Sequence, residues 1–116
     1  MIECGEIYFI SGDKSKSIGK EIWAGRPGII ISSPDAIKNQ GTVNVVFLTS
    51  SKGNKTFTVD ISDADFLPER NKFRSHRALC SQIHTVDKSR IESYYGKVTD
   101  EELQKIRKEI RKTLFN

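Results

Sequence analysis

Up to Val98 the apolar positions come in short clusters divided by polar turns, and only after that does the rhythm change. Gly5 to Ile10 (Gly-Glu-Ile-Tyr-Phe-Ile) is β-branched and aromatic and stops at Ser11-Gly12-Asp13, which predicts a strand ended by a turn. From Ser11 to Gly25 the chain is polar, with Lys14, Lys16, Lys20 and three glycines, and reads as a long loop. Gly28 to Ser33, closed by Pro34-Asp35, and Val43 to Leu48 are compact apolar runs that predict central strands. Thr56 to Ile61 alternates, which sets Phe57, Val59 and Ile61 on one side of a half-wet strand. Ala78 to Val86 and Arg90 to Val98 predict two more strands around an Asp87-Lys88-Ser89 turn.

The final segment has helical period, with Leu103, Ile106, Ile110 and Leu114 on one stripe. Thr99-Asp100-Glu101-Glu102 is a capping box, in which threonine and glutamate satisfy each other's free backbone N–H, and Arg111 and Lys112 suit the negative end of the dipole. About six short strands followed by one helix predict a mainly β chain, a small antiparallel barrel with a C-terminal α-helix lid. A single domain is expected over residues 1–116.

Composition narrows the class. With 36% hydrophobic and 29% charged residues the chain is neither collagen-like, low-complexity nor disordered. Its apolar runs reach only four residues, against about 20 for a bilayer span, so no membrane partner is expected. Met1 to Asp13 carries Glu3 and Glu6 and no basic lead into an apolar stretch, so a cytoplasmic protein is expected. The net charge of +4 suits a polyanion, and its placement is more telling: Arg70, Lys72, Arg74, Arg77, Lys88 and Arg90 cluster after an acidic patch at Asp60, Asp63, Asp65 and Glu69. A run of this kind is also compatible with a solvated surface. Cys4 and Cys80 lack CxxC spacing and read as small buried apolar residues, which leaves neither a disulfide framework nor a metal site.

No GxGxxG, P-loop, HExxH or nucleophile elbow is present, and no cofactor is expected. The two histidines are His76 and His84, and the second lies on an apparent strand, so a two-histidine ribonuclease arrangement is not indicated. Arg26, fixed by the following Pro27 at the exit of the long loop, either serves a site at the barrel mouth or caps that loop.

Gly19-Lys20-Glu21, four residues, Arg26-Pro27 and an Ile-rich strand resemble the MazF/PemK toxins, whose pattern is Gly-x-Glu, four residues, Arg-Pro and an apolar strand. Gly5 to Tyr8, Phe47-Leu48-Thr49-Ser50 and Ser81 to Ile91 are similar to the family's other stretches, in the same order. The resemblance implies a homodimeric SH3-like barrel of the CcdB/MazF type, the toxin of a type II toxin-antitoxin system. It implies metal-independent, sequence-selective cleavage of single-stranded RNA or mRNA, by attack of a 2′-OH on the adjacent phosphorus. The products would be 2′,3′-cyclic phosphate and 5′-OH ends, and an acidic antitoxin would silence the enzyme. Arg26 and Thr49 would carry the reaction. A guanidinium can grip two phosphoryl oxygens, but it stays protonated and is a poor base. Glu21 could position Arg26 or accept the proton, a solvated carboxylate being the alternative.

RNA contacts are expected at Trp23, Ser50, Ser75, His76, Arg77 and Gln82, with an acidic partner segment on a face holding Arg26, Arg74 and Arg77. Trp23 either anchors the loop or stacks on a base. Two features depart from the family: His76 falls where a serine is usual, with Ser75 one place earlier, and Ser81 replaces a frequently acidic residue. The competing classes are a CcdB-like toxin that poisons a protein target such as gyrase, without catalysis, and an SH3-like peptide module.

Overall fold

The computed structural model describes residues 1–12, 25–50, 53 and 56–115. Eight strands lie among them: β1 (Glu6–Ile10), β2 (Arg26–Ile30), β3 (Thr42–Thr49), β4 (Thr58–Asp60), β5 (Asp65–Phe66), β6 (Arg77–Leu79), β7 (His84–Asp87) and β8 (Ile91–Lys97). A helix α1 (Pro34–Asn39) precedes β3, and α2 (Asp100–Phe115) ends the fold. All pairings are antiparallel, in the order β4-β6-β3-β2-β1-β8-β5, with β7 beside the first half of β3.

Geometry forces this strip to roll. Its edge strands β4 and β5 are joined by Ile61–Ala64 alone. The chain from Asp60 to Asp65 can reach at most about 18 Å, whereas a flat sheet of this many strands is about 29 Å wide. The hydrogen-bonded ladder nevertheless stays open, because β4 has three residues and β5 two, and no pairing joins them. The expected mainly β class with a C-terminal helix is present, as a rolled sheet rather than a closed ring of hydrogen bonds. Glu102 fastens the gap: Thr99 N donates to its Oε1 at 3.0 Å, the Thr99 Oγ1 accepts from Glu102 N at 3.1 Å, and Oε2 accepts from Asp63 N at 2.9 Å. The capping box thus also holds the turn between the sheet edges.

Residue alternation divides the core. Ile7, Ile29, Val46, Leu48, Val59 and Ala78 form a first cluster with Ile106 of α2. Ile10, Ile30, Val43, Val45, Phe47 and Val86 form a second with Ile37 of α1.

Several expectations change. The span 78–86 is two strands broken at a turn, since Val45–Thr42 pair with His84–Asp87 while Leu48 and Thr49 pair with β6. Val59 and Ile61 are buried as the alternation predicts, but Phe57 has φ 61° and is 38% exposed, a left-handed turn residue ahead of the strand. Pro34-Asp35 opens α1 instead of ending a strand: the Ser33 hydroxyl accepts from Ala36 N at 3.3 Å and proline occupies the first turn. Pro68–Ser75 forms a 3₁₀ segment. Cys80 is buried, and burial followed by the Glu109 charge pushes its thiol up to about 12; Cys4 is only half-buried. Among the described residues no helix is long and apolar enough to cross a membrane.

Candidate active site

Three strands bring the charged residues of the second face into line. Gly28 lies opposite Phe47, and the same antiparallel count carried two residues further brings Arg26 level with Thr49. On the other side of β3, Thr49 pairs with Arg77, which in turn pairs with Asp60 of β4. Directly paired residues share a face, so Thr49 and Arg77 project together, and the register continued past Gly28 adds Arg26 on the other side of the threonine to make one row.

Arg26 is exposed but held. Pro27 restricts it to extended backbone, its Nη2 donates to Leu48 O at 3.2 Å, and its guanidinium stands 5.1 Å from the centre of the Phe47 ring. Two glycines make room for this. Gly25 takes φ 74°, where a Cβ would come within 2.4 Å of Phe9 Cζ. A Cβ on Gly28 would meet Ile10 Cδ1 at 2.6 Å and Phe47 Cδ1 at 3.4 Å. Arg77 is half-buried, and its Nε donates to Thr58 Oγ1 at 2.8 Å, which ties its head to β4.

Phe47 has a second polar neighbour. His84, opposite Val45 on β7, lies on the same face, with its ring centre 4.9 Å from that of Phe47. Burial first, then the charges of Arg26 and Arg90, hold its imidazole below the usual 6.5. His84 is not among the residues that the sequence marks for the site. Its parity with Val86 on a strand paired to β3 is the signal that could have placed it there.

Of the residues expected to act, Arg26, Thr49 and Arg77 are brought together, and the exposed Ser50 follows Thr49 directly. Gln82 is exposed on the turn between β6 and β7. Ser75 and His76 have different surroundings: the Ser75 hydroxyl donates to Lys72 O at 3.2 Å, while the His76 ring lies 5.0 Å from Phe73, which packs on the first cluster. His76 Nδ1 is buried without a hydrogen-bond partner among the described residues, and burial, then Lys72, lowers its pKa. Arg74 does not join the row. It donates to the carbonyls of Ser62 and of Ala64, the latter at 3.1 Å, and so braces the turn between the sheet edges. Glu21 and Trp23 lie outside the described residues.

Fold and site together define a small rolled antiparallel sheet with a terminal helix and an arginine-lined, anion-receptive face. A family model for the PemK-like, MazF-like toxins of type II toxin-antitoxin systems matches residues 3–114, and the chain belongs to that family. Similar folds include an endoribonuclease solved with its cognate antitoxin from a mycobacterial species (20% identity, TM-score 0.75, 98% of this chain and 95% of that one). MazF from Deinococcus radiodurans is also similar (17%, 0.71, 97% and 96%), as is the MazE-MazF complex from that organism (17%, 0.72, 97% and 95%). No curated protein sequence gives a significant match.

Proposed function

We propose that the chain is the ribonuclease toxin of its toxin-antitoxin pair, cutting single-stranded RNA, mRNA included, on the Arg26–Thr49–Arg77 row. The row is the observation that carries this reading. A phosphodiester laid across it meets a guanidinium from each side, with a hydroxyl between, where charge builds on the phosphoryl oxygens during attack. The ribose 2′-OH attacks phosphorus, the bond to the 5′-oxygen breaks, and the ends are 2′,3′-cyclic phosphate and 5′-OH. The reaction is metal-independent in this reading, because the charge a metal would neutralise falls to fixed cations. Ser50, next to Thr49, and Gln82, exposed on the turn between β6 and β7, are assigned to the flanking nucleotides. Ser75, His76, Trp23 and Glu21 stay in the proposal on the family resemblance. The acting form is a cytoplasmic homodimer of this one domain, and the antitoxin covers the row with an acidic segment.

The test is incubation of labelled RNA with the protein in EDTA, followed by end mapping. Cyclic phosphate and 5′-OH ends are expected, with a single 2′-deoxy substitution at the cut site giving resistance. Intact RNA, or cleavage only after metal is added, would sink the reading.

A further inference from the structure

We propose that His84 is the general base of this reaction, taking the proton of the attacking 2′-OH while Arg26 holds the phosphate. The proposal rests on the ribonuclease reading above. That reading needs a proton acceptor, and neither arginine of the row can be one, since guanidinium stays protonated. Asp60 stands at the far end of the row, beyond Arg77 and away from Arg26, with its Oδ1 accepting from Ser62 N at 2.8 Å. Among the described residues of this face, His84 carries the side chain whose neutral form can accept a proton at physiological pH.

Its placement follows from three strands. β7 carries it opposite Val45, β2 carries Arg26, and Phe47 of β3 lies between them with its ring 5.1 Å from the guanidinium and 4.9 Å from the imidazole. Arg26 and the exposed His84 thus share one aromatic ring, and in the proposal a phosphodiester gripped by Arg26 turns its ribose 2′-OH toward the imidazole. Arg90, at the end of the 3₁₀ turn Lys88–Arg90, donates from Nε to Ser11 O at 2.7 Å and faces the same imidazole. Facing His84 are thus Arg26 from β2 and Arg90 from that turn, while β3 presents Val45 and Phe47, which do not ionise. Burial first, then the two cations, lower its pKa and favour the neutral ring, the form that accepts a proton. A bound phosphate offsets those cations and makes the ring more basic when the proton must move.

The step balances. The 2′-oxygen bonds to phosphorus as its proton goes to imidazole, the 5′-oxygen leaves with the bonding pair, and it takes a proton from water. The hydroxide so formed removes the proton from imidazolium, so neither enzyme nor solvent is changed overall.

The experiment compares wild type, His84→Asn and Arg26→Ala by kcat/KM on a short single-stranded RNA between about pH 4.5 and 8.5. Affinity for the same RNA carrying 2′-deoxyribose at the cut site is measured alongside. Wild type is expected to gain about tenfold per pH unit up to an inflection below about 6.5 and then level off. His84→Asn is expected to lose at least about 100-fold on the plateau, to lose the inflection, and to bind the deoxy RNA within about threefold of wild type. An Asn variant within about tenfold of wild type, or one that keeps the inflection, overturns the assignment, as does a loss of affinity equal to the loss of rate. If Arg26→Ala is inactive while His84→Asn cuts normally, only the base is misassigned. If wild type cuts no RNA at all, the ribonuclease reading falls as well.

Discussion

On β3, Val46 and Leu48 enter the first cluster and are roofed by α2 through Ile106 and Leu103, whereas Val43, Val45 and Phe47 enter the second. Ile37 of α1 joins that second cluster, yet the same face also carries the exposed Arg26 of β2, the half-buried Thr49 of β3 and the exposed His84 of β7. One face is closed by packing; the other stops packing and starts presenting charge. Alternate residues of the same strand thereby answer to different demands, so loss of activity and loss of stability should be separable by residue parity.

The hardest test of that separation is Arg26→Ala. Cleavage should fall by about 10²–10³-fold, as for removal of one transition-state donor, with the melting temperature unchanged because the side chain is exposed. Arg26→Lys should recover little, since charge remains but the two-pronged grip is lost. Melting temperature falling in step with activity would mean that the open face is structural after all.

Glu102→Ala probes the closed side. Glu102 is only 4% exposed and its carboxylate serves Thr99 N and Asp63 N. Leaving two backbone donors without it should cost about 2–4 kcal/mol in urea unfolding, while cleavage by the folded fraction stays within about threefold. A cost below about 1 kcal/mol would show that α2 does not fasten the sheet edges.

A smaller effect is expected at Phe57, outside both faces. Asparagine tolerates its left-handed backbone better than phenylalanine does, so Phe57→Asn should stabilise by about 1 kcal/mol without touching cleavage. Destabilisation in thermal melting would mean that the aromatic ring has a packing role.

The mildest effect is pH-dependent stability. His76 and His84 are both held below 6.5 in the folded chain, mainly by burial. The unfolded chain therefore binds protons first, and stability present above about pH 6.5 declines as pH falls through the folded values, then levels. His76→Phe should flatten that decline in part, and His84→Asn the remainder; a double variant with the full decline would assign it to carboxylates.

How legible each region was in the sequence follows from where its determinants lie. The helix α2 and strands β1 to β3 have local signatures, the period of Leu103 to Ile110 and the unbroken run Val45 to Leu48 among them, and both are present. Arg26 and Thr49 are expected from the motif blocks, not from periodicity. The short α1 was hidden because six residues give too little period, although Ser33-Pro34-Asp35 is a good helix start. Phe57 misled because alternation assumes extended backbone, and a single positive φ breaks the count. His84 joins the face through a pairing between β7 and β3 some forty residues apart in the chain, and no local window reports that distance.

β3 is the ruler for the whole site, because β2, β6 and β7 all take their register from it. A single residue inserted between Val45 and Val46 would turn Phe47 and Thr49 toward the helix side and Leu48 toward solvent, since side-chain direction reverses with each position. Drift in chain length is therefore barred from this strand and confined to the turns that flank it. Related toxins should differ freely in length around Gly53 and Gly41, yet keep the distance from Val43 to Thr49 to the residue.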